Sequence, residues 1–225
     1  EDVEVVTGSV TDSATVAYAL SDVRRIFHLA AVPELWARDP AVFERVNHRG
    51  TITVLEAARG KQDLEAFVYT SSEVTLVPRR GLPLPDRLDE TLELPPESLI
   101  GAYAAAKRRA EQAVLKAANE GVPAISAIPT MPLGPGDVHR TPPTRMVADL
   151  LAGRTPAYAD VMLNVVDVRD CAEGHVRAAE HGAYGGRYLL AGHNVTMSAL
   201  LGELALVCRQ RMPHRRIPLW LARGF

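Results

Sequence analysis

The stretch Ile100-Gly-Ala-Tyr103-Ala-Ala-Ala-Lys107-Arg-Arg-Ala-Glu111-Gln-Ala-Val114 reads as the start of an amphipathic helix, with a strand-like run on either side. Before it, Glu65-Ala-Phe-Val-Tyr-Thr70 is rich in β-formers and leads straight into Ser71-Ser72. After it, Pro123-Ala-Ile-Ser-Ala-Ile-Pro129 forms a second such run, ending at Thr130. Further out, Arg25-Ile-Phe-His-Leu-Ala30-Ala31 is another strand. Asp39-Pro40 signals the start of a helix that continues through Asn47 to Ala58. Strands alternating with helices at this rhythm predict an α/β fold, a doubly wound parallel sheet covered on both faces.

In such a sheet, ligands sit beyond the carboxyl ends of the strands. That rule selects Leu29-Ala30-Ala31, Thr70-Ser71-Ser72 and Pro129-Thr130, with Tyr103 opening the helix between two of those strands. Tyr103 and Lys107 are one turn apart, so their side chains share a helix face. An ammonium beside a phenol favours the phenolate and is expected to pull the tyrosine pKa below its usual value of about 10. The pair is a candidate acid/base couple.

At the amino end, Val3-Glu-Val-Val-Thr7 is a short β-rich run closed by Gly8, and Thr11-Asp12-Ser13 caps a helix through Leu20. Beyond Asp137 the elements shorten: a helix at 144–151, a strand at 164–167, a helix capped by Asp170, a strand at 186–190, and a last helix capped by Thr196. This texture divides the chain into a Rossmann-like domain over 1–137 and a small substrate-binding lobe over 138–225, with 164–190 returning to the main sheet. The proline-rich loop from Pro78 to Ser98 is long enough to expect a role in binding.

Composition narrows the function classes. The 225 residues carry a formal charge of −2 and are 47% hydrophobic, ordinary for a globular protein. Such a balance gives no electrostatic ground for a nucleic-acid or anionic-membrane partner. No apolar run approaches the roughly 18 residues a membrane helix requires. The acidic start, Glu1-Asp2, is unlike a secretory leader. Cys171 and Cys208 stand at no metal or redox spacing and are expected to be buried core thiols in a reducing cytoplasm.

Taken together, Ser72, Tyr103 and Lys107 resemble the catalytic triad of the short-chain dehydrogenase/reductase superfamily. The likeness is to its extended branch of nucleotide-sugar epimerases, dehydratases and dihydroflavonol-reductase-like enzymes. Phe27-His-Leu-Ala-Ala31, Val46-Asn47-His-Arg-Gly50-Thr51, Val68-Tyr-Thr-Ser-Ser72, Leu88-Asp89-Glu90-Thr91, Leu133-Gly-Pro-Gly-Asp137 and Asn164-Val-Val-Asp-Val-Arg-Asp170 resemble that branch's motifs in order. The stretches Pro156-Ala-Tyr158 and Leu163-Asn-Val-Val-Asp167 are similar to those of hopanoid-associated sugar epimerases.

The resemblance implies NAD or NADP as cofactor and a sugar or nucleotide-sugar-like substrate. Tyr103 would be general acid/base, Lys107 would also hold the nicotinamide ribose, and Ser72 would hydrogen-bond the reacting oxygen. The cofactor would further touch Ser9, Val10, Leu29, Ala30, Ala31, Asn47, Thr70, Ser71, Pro129 and Thr130, and the substrate Glu73, Met131, Arg140 and Arg145. For Asn47 a backbone-bridging role stands equal to any catalytic one. His28 reads as a satisfied core histidine. Asp167 and Asp170 read as strand-end and cap residues. A dihydroflavonol-reductase-like ketone or aldehyde reductase is the second enzyme reading, and a non-catalytic binding relative the third. Relatives pair through the tyrosine helix, and apolar Ala110, Ala113, Val114 and Ala117 are expected to permit a homodimer.

The sequence departs from this branch in one large respect. It contains no Gly-x-x-Gly-x-x-Gly, the turn that holds a dinucleotide pyrophosphate. Val3–Thr7 then corresponds to the third strand, and roughly 50–60 further residues are expected upstream, the size of a βαβ unit plus a strand. Ser9 stands where an adenine-contacting aspartate is common, and Ala106 where a serine usually precedes the lysine.

Overall fold

The computed structural model describes residues 3–79 and 85–219. The helices are α1 (Ser13–Ala19), α2 (Gly50–Arg59), α3 (Gly101–Asn119), α4 (Pro142–Leu151), α5 (Val168–His181) and α6 (Met197–Cys208). The strands are β1 (Arg25–His28), β2 (Ala66–Thr70), β3 (Ala124–Pro129), β4 (Met131–Leu133), β5 (Ala157–Ala159), β6 (Met162–Asp167), β7 (Arg187–Leu190), β8 (His193–Thr196) and β9 (Arg215–Ile217). The chain divides into two compact units, one of Glu1–Pro129 with Ala172–Leu190, the other of Thr130–Cys171 with Ala191–Phe225.

The first unit is built on a parallel sheet in the order β1-β2-β3-β7. The central strands β2 and β3 are nearly continuous apolar runs buried along almost their whole length, as expected when both faces are covered. On one face Ile26, Phe67 and Tyr69 pack with Val54 and Leu55 of α2 and Ala110, Val114 and Ala117 of α3. On the other, Val68, Ile125 and Ala127 pack with Ala178 of α5. Alternate residues of β2 therefore serve opposite layers, a direct consequence of the two-residue period of a strand.

The helix α2 is entered through π-helical turns at Phe43–Arg49, and Asp39 accepts a hydrogen bond from the Ala41 N–H where that segment begins. Gly101 opens α3 with φ of +82°, a left-handed conformation that a side chain would strain. The alanines at 104, 106, 110 and 117 are buried, which lets the helix lie close to the sheet.

In the second unit β4, β6 and β8 form one small sheet, and β5 pairs with β9. Within 164–190, β6 therefore pairs in this unit while β7 joins the main sheet. Thr196 caps α6 by accepting from the Ala199 N–H.

Several expectations need correction. Val3–Thr7 forms no strand: no described strand pairs with it, and Val3 and Val5 are exposed. A β-rich run without a neighbouring ladder has nothing to exchange its hydrogen bonds with. Asp170 lies inside the first turn of α5, while the Asp167 side chain accepts from the Arg169 N–H and takes the capping role. Cys171 is buried, but Cys208 is only half-buried. Of the four apolar positions of α3, Ala110, Val114 and Ala117 are fully buried against their own sheet and Ala113 is half-buried. Residues 80–84 of the expected Pro78–Ser98 loop lie outside the described residues.

Candidate active site

Because β1, β2 and β3 are parallel, Leu29–Ala31, Thr70–Ser72 and Pro129 leave the sheet at one end. Tyr103, in the first turns of α3, and Lys107, one turn later, share that end of the first unit. The half-buried Tyr103 ring meets Phe43 edge-on, with centroids 5.7 Å apart, and Arg109 ties α3 to the same π-helical segment through Glu44 at 3.1 Å. Burial raises the Tyr103 pKa, and Ser72 works against that rise by favouring the phenolate.

Lys107 is only 4% exposed although it is charged in water. Its ammonium donates to the Thr70 carbonyl and sits 4.5 Å from the centre of the Tyr69 ring, whose hydroxyl donates to the Lys107 carbonyl at 3.3 Å. Burial pulls the lysine pKa down to about 7, and the Glu111 carboxylate one turn further along α3 works the other way. The expected lowering of the Tyr103 pKa by Lys107 does not occur. Burial raises the phenol above its ordinary value, Ser72 opposes the rise, and the lysine charge is spent on Thr70 and Tyr69 instead.

Glu73 follows Ser72 at the start of a short 3-10 turn, Glu73–Leu76. It is half-buried without a hydrogen bond or ion pair among the described residues, and burial pushes its pKa up to about 7. Ser71 carries a buried hydroxyl that likewise has no hydrogen-bond partner in the described structure.

The other sequence-selected residues fall as follows. Leu29 and Ala30 are exposed just past β1. The Ser9 hydroxyl is engaged with Thr11 at 2.8 Å. Val10 packs over Gly50, where an added Cβ would come within 2.7 Å of its Cγ2. Asn47 is buried and uses its amide on the Val32 backbone: Oδ1 accepts from the Val32 N–H at 2.7 Å and Nδ2 donates to the Val32 carbonyl at 3.2 Å. It shapes the loop after β1 and presents no free amide. His28 is the satisfied core histidine expected, bonded to Thr51 at 2.9 Å, with burial lowering its pKa to about 4. Thr130, Met131, Arg140 and Arg145 belong to the second unit. There Arg140 is exposed in a left-handed backbone conformation and Arg145 is in the first turns of α4.

Two residues escaped the sequence reading. Tyr69 supports Lys107, and its place in β2 on the α3 side was available from the strand period. His175, buried in α5, bonds the Thr70 hydroxyl at 2.9 Å. Its apolar neighbours Cys171 and Ala178, at helical spacing, already marked it as facing inward. Among the described residues no cluster of His, Cys, Asp and Glu could hold a metal ion, and no helix is long and apolar enough to cross a membrane.

Known proteins agree with this architecture. The chain is 37% identical over 205 residues to a putative dihydroflavonol 4-reductase of Synechocystis sp., covering 89% of this chain and 58% of the relative. It is 33% identical to cinnamoyl-CoA reductase 1 of Oryza sativa subsp. japonica, over 87% of this chain and 59% of that protein. The crystal structure of gox2253 superposes with a TM-score of 0.85 at 35% identity, covering 99% of this chain and 70% of that one. The chain thus spans less than two thirds of the length of these two curated relatives. A sequence model of one family matches residues 1–191, and the chain belongs to that family, the NAD dependent epimerase/dehydratase family.

Proposed function

We propose that the protein is an NAD(P)-dependent oxidoreductase that interconverts a ketone and a secondary alcohol. The observation that supports this reading is that Tyr103, Ser72 and Lys107 share the carboxyl end of a parallel sheet, with Ser72 acting on the Tyr103 phenol and the buried Lys107 ammonium held on the Thr70 carbonyl.

The residues fit the nicotinamide end of such a cofactor. Ser71 has a buried hydroxyl in want of a partner, and Leu29 and Ala30 leave apolar surface open beyond β1. Tyr103 and Lys107 would border the nicotinamide and its ribose. When bound, the nicotinamide supplies or accepts the hydride. In the reductive direction the Tyr103 phenol gives its proton to the carbonyl oxygen, and the Ser72 hydroxyl orients that oxygen by a hydrogen bond. A phenol whose pKa is raised stays protonated at neutral pH, the form that reduction needs. Lys107, held by Thr70 and Tyr69, would face the nicotinamide ribose from the same helix, one turn beyond Tyr103.

Of the two enzyme readings, the ketone reductase is favoured, because both curated relatives described above are named as reductases. One observation favours a sugar epimerase or dehydratase: Glu73, next to Ser72, has a carboxyl with no hydrogen bond or ion pair among the described residues, and it can bond a hydroxyl-rich substrate. The full-length protein, assayed for NADH and NADPH oxidation with aromatic and aliphatic ketones and for turnover of nucleotide sugars, separates the two. Oxidation of the cofactor with a ketone supports the reductase. An altered sugar with no net change in cofactor supports the second reading, and inertness toward both panels overturns the enzyme proposal.

A further inference from the structure

We propose that His175 is a positioning residue, fixing through the Thr70 hydroxyl the strand end whose carbonyl holds the Lys107 ammonium. Thr70 closes β2 with its two polar groups turned to different layers. Its carbonyl accepts from Lys107 of α3, and its hydroxyl meets His175 Nε2 of α5 at 2.9 Å. The helices α3 and α5 cover opposite faces of the sheet, so this one residue links them through the strand. Just beyond it the Ser71 N–H donates to the Ala127 carbonyl at 2.7 Å, the last tie of the strand to its neighbour before the chain turns away. That ladder bond fixes the peptide that carries the Thr70 carbonyl, and the His175 contact adds a restraint on the Thr70 side chain from the opposite layer.

His175 is 6% exposed, and a buried imidazole is costly unless its polar atoms are used. Its contact to the strand-end hydroxyl of Thr70 uses one of those atoms at the candidate site. The titratable groups around Lys107 are Glu111 and Tyr103 on its own helix, Tyr69 on β2 and His28 on β1. None of them holds the Thr70 side chain.

The test is the titration of Lys107 in the full-length protein, followed by NMR of isotope-labelled lysine and assigned with Lys107→Met. His175→Phe removes the bond to Thr70, His175→Gln offers an amide in its place, and Thr70→Val deletes the hydroxyl from an isosteric side chain. With the Thr70 side chain released, the Ser71 ladder bond alone holds the strand end, and the ammonium is less well placed on its acceptor. The midpoint is expected to fall by about one unit in His175→Phe and Thr70→Val, and to stay near the wild-type value in His175→Gln. An unchanged midpoint in folded His175→Phe and Thr70→Val overturns the proposal, as does an equal shift in His175→Gln and His175→Phe. Should His175→Phe fail to fold, Thr70→Val decides alone: a fall supports the proposal and no change overturns it. The measurement needs neither cofactor nor substrate, so its outcome is independent of the proposed activity.

Discussion

At Glu73 and Lys107 the fold holds two ionisable groups against their preference for water, in opposite senses. The Glu73 pKa is raised to about 7, so its favourable contribution is complete below about pH 4.5 and disappears as pH climbs through 7. Glu73→Gln should therefore be more stable than the wild type at pH 8, by about 2 kcal/mol after allowance for solvent screening, and equal to it at pH 4. Urea unfolding at the two pH values checks this. Lys107, lowered to about 7, behaves in the reverse way: its contribution is present above about pH 10.5 and lost as pH falls through 7. Lys107→Met should show its largest stabilisation near pH 6, with the advantage shrinking from pH 7 to 10.5. A pH-independent difference in thermal unfolding would contradict that assignment. That Tyr103 and Lys107 stand one turn apart on one helix was legible because helical spacing is local. Where the ammonium points was not, since Thr70 and Tyr69 reach it only after β2 and α3 have packed.

At the scale of elements, α3 is anchored by charge as well as by its alanines. Glu111, with no exposed surface, bonds Arg108 at 2.7 Å, Arg187 of β7 at 3.3 Å and the Ser126 hydroxyl of β3 at 2.8 Å. The two arginines in turn hold the acidic loop: Arg108 bonds the Leu94 carbonyl and the Glu93 carboxylate, and Arg187 the carbonyls of Glu90 and Leu92. Removing the shared carboxylate leaves two buried guanidiniums facing each other. Glu111→Ala should cost about 3–5 kcal/mol in urea unfolding, whereas a loss under 1 kcal/mol would mean that the network is dispensable. No sequence pattern announces such a network. Arg187 lies 76 residues from Glu111, and His175 lies 105 from Thr70; only the order of strands in the sheet brings them together. The strands β2 and β3 and the start of α3 were readable because each is a single local run. Val3–Thr7 misled because β propensity reports what a segment can do once a neighbour is present.

For the whole molecule, the order β1-β2-β3-β7 puts the candidate proton donor, its hydroxyl partner and its lysine at one end of a single sheet. The family was legible from ordered motifs; the preference for ketone reduction came from the curated relatives, because substrate choice depends on loops whose shapes no local pattern encodes. The most direct test of the central claim is turnover by the full-length Tyr103→Phe variant, with the ketone or sugar that the wild type accepts and with cofactor affinity measured in parallel. The account expects turnover to fall by about 100-fold to 10,000-fold while cofactor affinity stays within a few-fold. Turnover at the wild-type rate would contradict it.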